Sequence, residues 1–137
     1  MTTERVCPPL VGSEREMLRA FLDYHRATLA MKCAGLSDEE LRNRSMQPST
    51  LSLLALVRHM AEVERTWFRR VINAEDLPLV WSDAGDYQVA YDVTGRQPRS
   101  DEDVSLRLVM LHMMHEYARH NGHANLLREG IDGTVGA

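Results

Sequence analysis

Two potential metal ligands, Glu116 and His120, lie four residues apart near the end of this 137-residue sequence. In an α-helix, side chains at positions i and i+4 lie one above the other on the same face, so a single ion could contact both. The apolar residues around them recur at intervals of three and four, which predicts a helix whose buried face includes both side chains. Imidazole and carboxylate groups are ligands of zinc and of other divalent ions. The pair therefore predicts two ligands of a metal site on a buried helix face.

His59 is the candidate third ligand, at the border of the apolar stripe of an earlier long helix. Parallel or antiparallel packing of the two helices would bring it to Glu116 and His120, and such a set leaves one coordination position open. His123 is a candidate fourth ligand or a hydrogen-bond donor that supports one of the ligands. The alternative is that His120 is a core histidine bonded to a backbone carbonyl, that Glu116 lies at the flank of its helix, and that His59 is a packing or surface residue. A carboxylate near an apolar stripe is costly unless it is paired or bound to a cation, which keeps the metal hypothesis open.

Four helices are predicted to position these residues within one domain that spans residues 1–137. Capping boxes that begin at Ser13 and Ser37 start the first two helices, and Gly35 ends the first. The stripe that contains His120 defines the last helix, which Gly130 ends. The third helix is defined by a stripe bordered by His59 and made up of Leu53, Leu56, Val57, Met60, Val63, Glu64, Trp67, Phe68 and Val71. The predicted helices cover about 14–34, the short turn after Ser37 through Arg44, the stretch from Thr50 to about Asn73, and about 103–129.

Residues 74–102 differ from the rest of the chain. They contain two prolines and two glycines and show no amphipathic stretch of helical length. Apolar residues at positions 87, 89, 91 and 93 alternate with other residues, which predicts an extended segment or a short strand.

Composition excludes several classes of function. The net charge of -4 and the absence of a basic face with aromatic residues argue against a nucleic-acid partner. No apolar run is long enough to span a bilayer, so we expect no membrane association. Cys7 and Cys33 are isolated from each other, which predicts free thiols and a cytoplasmic protein.

The sequence resembles the DinB-like superfamily over nearly its whole length, and in particular an actinobacterial subfamily of unknown function. This resemblance implies an all-α helical bundle of the four-helix type that holds a divalent metal through one histidine on the second long helix and two residues four apart on the last. These positions correspond to His59, Glu116 and His120. Many members have histidine in place of Glu116, but the mycothiol-dependent maleylpyruvate isomerases have glutamate. The resemblance is carried by motifs at residues 9–16, 32–41, 52–60, 64–68, 105–107 and 116–129.

The resemblance also implies a function. Related proteins are transferases or isomerases that use a low-molecular-weight thiol such as mycothiol, so we expect a metal-dependent S-transferase or isomerase that acts on a small-molecule electrophile. Zinc or nickel is the expected ion, with manganese and iron as alternatives. Arg58, Glu62 and Arg119 are candidates to orient a substrate or to support the ligands, or are solvated helix residues; no catalytic residue is identified. The alternative function is a non-catalytic metal-binding protein or a dimeric interaction protein.

The chain departs from the family pattern where a third long helix is expected. That helix is predicted to be shortened or replaced by the extended segment, and residues 83–94 would then travel back along the bundle. We expect the incomplete bundle to bury its remaining apolar surface by forming a homodimer. Light scattering that showed a monomer at micromolar concentration would contradict this expectation.

Overall fold

A computed structural model describes residues 4–77 and 105–136 of the chain. These residues form four α-helices: α1 (Glu14–Cys33), α2 (Asp38–Arg42), α3 (Leu53–Glu64) and α4 (Leu106–Asp132). The third helix continues directly into a π-helical segment, π1 (Arg65–Ile72). No strand occurs within the described ranges, and the predicted all-α helical fold is confirmed.

Side-chain caps set the starts of the helices. Ser13 and Ser37 each begin a complete capping box, as predicted, with Glu16 and Glu40 as the reciprocal partners. α2 ends at Arg42, two residues before the predicted end at Arg44. The third helix begins later than predicted because Ser52 is its cap, and the Ser52 hydroxyl accepts a hydrogen bond of 3.1 Å from the Ala55 N–H.

The prediction that Gly130 ends the last helix was wrong. α4 continues to Asp132 and ends at Gly133, whose φ of 75° is the left-handed conformation that favours glycine. Gly130 lies inside the helix, where a Cβ would come within 3.0 Å of the Ser45 side chain. The missing side chain therefore allows the chain before α3 to pack closely on α4, and the Ser45 hydroxyl donates a hydrogen bond of 2.8 Å to the Leu127 carbonyl.

The first and last helices run parallel to each other. Near their starts, Arg107 forms an ion pair with Glu14. Farther along, the Asn121 amide donates to the His25 carbonyl at 3.1 Å. At their ends, Arg128 donates to the carbonyl oxygen of Ala34 at 2.8 Å. These three contacts occur in the same order along both helices.

α3 and π1 run antiparallel to α4. His59 near the middle of α3 contacts Glu116, whereas Trp67 in π1 contacts His112, four residues earlier in α4. The end of π1 and the start of α4 therefore lie at the same end of the bundle. The described helices do not require the connection to travel back along the bundle, and the predicted extended segment at 83–94 lies outside the described residues.

The core lies where α1, α3 and α4 meet. Its buried members are mostly aliphatic or sulfur-containing side chains that recur at helical spacing, as expected for a bundle. They are Leu22, Leu29, Leu53, Leu56, Met60, Val63, Met113, Tyr117, Ala124 and Leu127.

A polar network joins the three core helices beside this cluster. The Glu64 carboxylate of α3 accepts a hydrogen bond of 3.0 Å from Arg26 Nε of α1 and another from the buried Tyr117 hydroxyl of α4. Burial raises the pKa of Tyr117, and the adjacent Glu64 carboxylate raises it further. The neutral phenol is therefore the form that the fold stabilises.

Replacing Tyr117 by Phe should lower the free energy of unfolding by about 1–2 kcal/mol, because the carboxylate loses a buried donor. Since the pKa of Tyr117 is raised in the folded state, its contribution is fully present below the ordinary tyrosine pKa of about 10 and is lost as the pH rises above it. Denaturant titrations at pH 7 and above pH 10 should show the two proteins converging at high pH. Tyr24→Phe is the matched control, and an equal loss in both variants would contradict this account.

Candidate metal centre

The structure brings together the three residues predicted as metal ligands. His59 Nε2 lies 3.4 Å from Glu116 Oε2, and His120 Nε2 lies 3.4 Å from the same oxygen. One ligand atom from each of the three residues lies within 4.8 Å of the others. His59 and His120 are 0% exposed and Glu116 is 3% exposed. Within the described part of the chain, these residues form the group that could hold a metal ion.

The two separations between a histidine nitrogen and the Glu116 oxygen fit a metal site. Nitrogen and oxygen ligands lie about 2.0–2.1 Å from zinc, so two ligands of a tetrahedral ion lie roughly 3.3–3.4 Å apart. Both measured nitrogen-to-oxygen separations equal 3.4 Å. Two imidazoles and one carboxylate are also a donor set that divalent transition metals accept. The residues present therefore fit a divalent ion.

Secondary structure positions two of the three side chains, and tertiary packing positions the third. Glu116 and His120 are brought together by the helical repeat alone, because they lie one turn apart on α4. His59 reaches them only through the antiparallel packing of α3 on α4, and its ring meets the His120 ring edge-on at a centroid distance of 4.6 Å.

The buried face of α3 differs from the predicted apolar stripe. His59, predicted at the stripe border, is fully buried, whereas Val57, predicted within the stripe, is 40% exposed. Part of the buried face is apolar and covers roughly 80° of the helix circumference; it consists of Leu53, Leu56, Met60 and Val63. The other buried residues extend the buried face to roughly 180°. The buried residues beyond the aliphatic group are Ala55, His59 and Glu62.

This second half of the buried face is a polar stripe that sequence reasoning missed. Ser52, His59, Glu62 and Thr66 are all buried. Their intervals of seven, three and four residues are the helical spacing that could have revealed the stripe. Of the predicted polar neighbours of the site, Glu62 is only 1% exposed, so the alternative that it is a solvated helix residue was wrong. Arg58 is half-buried and Arg119 is exposed.

His112 lies beside Oε1, the second carboxylate oxygen of Glu116. Its Nε2 lies 3.8 Å from Glu116 Oε1, and its side chain is 34% exposed. The indole of Trp67 packs against this imidazole at a centroid distance of 4.9 Å. This histidine is partly exposed, unlike His59 and His120, which are fully buried.

The remaining histidines of α4 differ in their exposure. His115 is exposed on the opposite side of the helix. His123 is half-buried, and its Nδ1 lies 3.1 Å from Nδ1 of His120. Burial lowers the pKa of His123, and the neighbouring His120 and Arg119 lower it further.

A surface cavity of about 500 Å³ lies between the starts of α1 and α4. Its walls combine the aliphatic side chains of Leu18 and Leu106 with Arg15, Arg19 and Arg107. None of the three candidate metal ligands lines it. The cavity is therefore separate from the cluster.

Comparison with known families identifies the family of this chain. A profile of the family described as mycothiol-S-transferase matches residues 17–96 and 86–133. These two segments cover most of the chain and contain His59, Glu116 and His120. The chain belongs to the mycothiol-S-transferase family. This assignment confirms the predicted resemblance to the DinB-like superfamily, of which the family is a part.

Searches of curated proteins and of solved structures each found no significant match. For this mycothiol-S-transferase family member, the substrate and the metal are therefore inferred from the residues of the site. None of the helices described here is both long and apolar enough to cross a membrane.

Proposed function

We propose that this protein binds one divalent metal ion through His59, Glu116 and His120 and transfers a low-molecular-weight thiol, mycothiol or a close analogue, to a small electrophile. The observation that carries the proposal is the convergence of two imidazole nitrogens on one buried carboxylate oxygen, each at 3.4 Å. Membership of the mycothiol-S-transferase family supports the thiol. Zinc or nickel suits the donor set best.

The ion, when bound, would lower the pKa of a coordinated thiol from about 8.5 and so supply a thiolate at neutral pH. The protein's own residues set the conditions for that chemistry. As ligands, His59 and His120 would each offer a nitrogen lone pair, and Glu116 would offer one carboxylate charge. A divalent ion held by this set would keep a net charge of +1, which favours binding of one thiolate in a buried, low-dielectric site.

Burial also keeps competing water away from the three ligands. The aliphatic side chains of Leu56, Met60 and Met113 are fully buried in the adjoining core. Such surroundings strengthen the electrostatic effect of each ligand and limit hydrolysis of a reactive electrophile. We place the reaction in the cytoplasm, where a thiol substrate stays reduced; Cys7 and Cys33 are both free cysteines.

A thiol-consumption assay tests this function. Zinc-loaded or nickel-loaded protein should accelerate the loss of mycothiol in the presence of a haloalkyl electrophile such as monochlorobimane. Removing the metal with a chelator should abolish the acceleration, and adding the metal back should restore it. His59→Ala should be inactive with or without added metal, whereas His115→Ala, on the exposed face of α4, should behave as wild type. Thiol consumption that is unaffected by removal of the metal would overturn the proposal.

The near-complete burial of the ligands favours a second candidate function. Structural zinc sites are closed, whereas catalytic sites keep an open position for substrate. With exposures of 0%, 3% and 0%, the three ligands resemble a closed site. Under this alternative the protein binds metal without catalysis. Elemental analysis would show one bound ion per chain, and the protein would not accelerate thiol consumption with any electrophile tested.

A further inference from the structure

His120, one of the three candidate ligands, also contacts a second histidine of α4, His123. Nε2 of His120 lies 3.4 Å from Glu116 Oε2, and its other ring nitrogen, Nδ1, lies 3.1 Å from Nδ1 of His123. The two residues are three apart on α4, which places them on neighbouring positions of one face. His120 is fully buried, whereas His123 is half-buried and lies between the cluster and the surface.

Only one arrangement of protons in this pair is compatible with a metal on His120. A neutral imidazole has one nitrogen that carries a proton and one that carries a lone pair. If Nε2 of His120 is to bind an ion, its proton must be on Nδ1. Nδ1 of His123 must then accept that proton in a hydrogen bond, so His123 must carry its own proton on Nε2.

The reverse arrangement would disable the site. If His123 donated from Nδ1, then Nδ1 of His120 would be the acceptor and Nε2 of His120 would carry the proton. A nitrogen that carries this proton has no free lone pair and could not bind an ion. The choice of donor in this one contact therefore decides whether the cluster is a metal site or a hydrogen-bonded polar core.

We propose that His123 is a positioning residue of the metal centre: it accepts the Nδ1 proton of His120 and so holds Nε2 of His120 ready for the ion. This inference rests on the proposed metal site and adds to it a residue that does not touch the metal. Partners of this kind fix the tautomer and the ring orientation of a metal-binding histidine, and their loss typically weakens metal affinity about 10–100-fold.

The test compares zinc affinities of the purified full-length protein and its variants by competition with a chromophoric chelator. His123→Ala removes the acceptor and should weaken zinc binding about 10–100-fold. His123→Asn can place its amide oxygen where Nδ1 of histidine lies, so it should restore affinity to within about threefold of wild type. His115→Ala is the control for loss of a histidine from the same helix. Melting temperatures of the metal-free proteins show whether any variant is merely less folded.

Nitrogen-15 spectra of the zinc-loaded protein provide a second measurement that does not depend on activity. His120 should carry its proton on Nδ1, and His123 should carry its proton on Nε2. A proton on Nδ1 of His123 would overturn the inference.

The affinity results separate failure of this inference from failure of the proposed function. Equal affinity of His123→Ala and wild type would overturn the role of His123 while leaving the metal centre intact. Equal weakening of the Ala and Asn variants would also overturn it, because the acceptor position would then not be the cause. Absence of zinc binding by wild type, or zinc binding unaffected by His59→Ala, would overturn the metal centre itself and this inference with it.

Discussion

Replacing His120 by Ala should reduce the metal content of the purified protein from about one ion per chain to nearly none. Structural zinc sites with four ligands contribute about 10–16 kcal/mol of binding free energy, so loss of one ligand corresponds to roughly 3 kcal/mol or more, about a hundredfold or greater loss of affinity. Because Glu116 and His120 lie within the longest helix and do not cap it, helical circular dichroism should be largely unchanged. Elemental analysis of untagged protein measures the first quantity.

His115→Ala is the matched control for this experiment, since it removes a histidine from the exposed face of the same helix. It should retain the metal and the melting temperature of wild type. If His120→Ala instead lowered the melting temperature of the metal-free protein and left the metal content unchanged, His120 would be a packing residue and the ligand assignment would be wrong.

Replacing Glu116 by Gln should have opposite effects on stability with and without metal. Glutamine has nearly the same shape as glutamate but no charge, so the metal-free variant should be more stable than wild type, by about 1 kcal/mol or more, because a buried carboxylate is costly to desolvate. Zinc at a hundred times its dissociation constant stabilises the folded state by about 2.7 kcal/mol, and the variant should lose most of this gain. Wild type should therefore melt below the variant in chelator and above it in zinc.

Thermal denaturation in chelator and in excess zinc measures this reversal. Glu129→Gln, an exposed position on the same helix, should give the same order in both conditions. A Glu116→Gln protein that is less stable than wild type in both conditions would indicate that the carboxylate is a structural partner of the histidines and that no ion is needed to stabilise it.

Helix ends illustrate how far local sequence could be interpreted correctly. The capping boxes at Ser13 and Ser37 were predicted and confirmed because both partners of such a cap lie within four residues of each other. Gly130 was misinterpreted as a stop because glycine has two roles, ending a helix and allowing close packing. The contact that distinguishes them is with Ser45, which lies far away along the sequence.

The buried surface of α3 shows a second limit. An apolar stripe identifies the part of a helix that faces aliphatic neighbours, and it correctly included Leu53, Leu56 and Met60. It could not show that burial continues over Glu62, because a glutamate is ordinarily solvated and only the packing of neighbouring chain makes it buried. Polar residues at helical spacing beside an apolar stripe were the available indication.

The sequence by itself determined the helices that carry the candidate site and the pairing of Glu116 with His120, because both depend on the geometry of a single helix. Tertiary structure alone decided that His59 joins them, since it lies 57 residues away and meets them only because α3 packs antiparallel on α4. It also decided the contact between His120 and His123, because the orientation of a ring within its helix depends on the neighbours that surround it. Spacing thus predicted which residues could bind a metal, and packing decided which of their atoms converge.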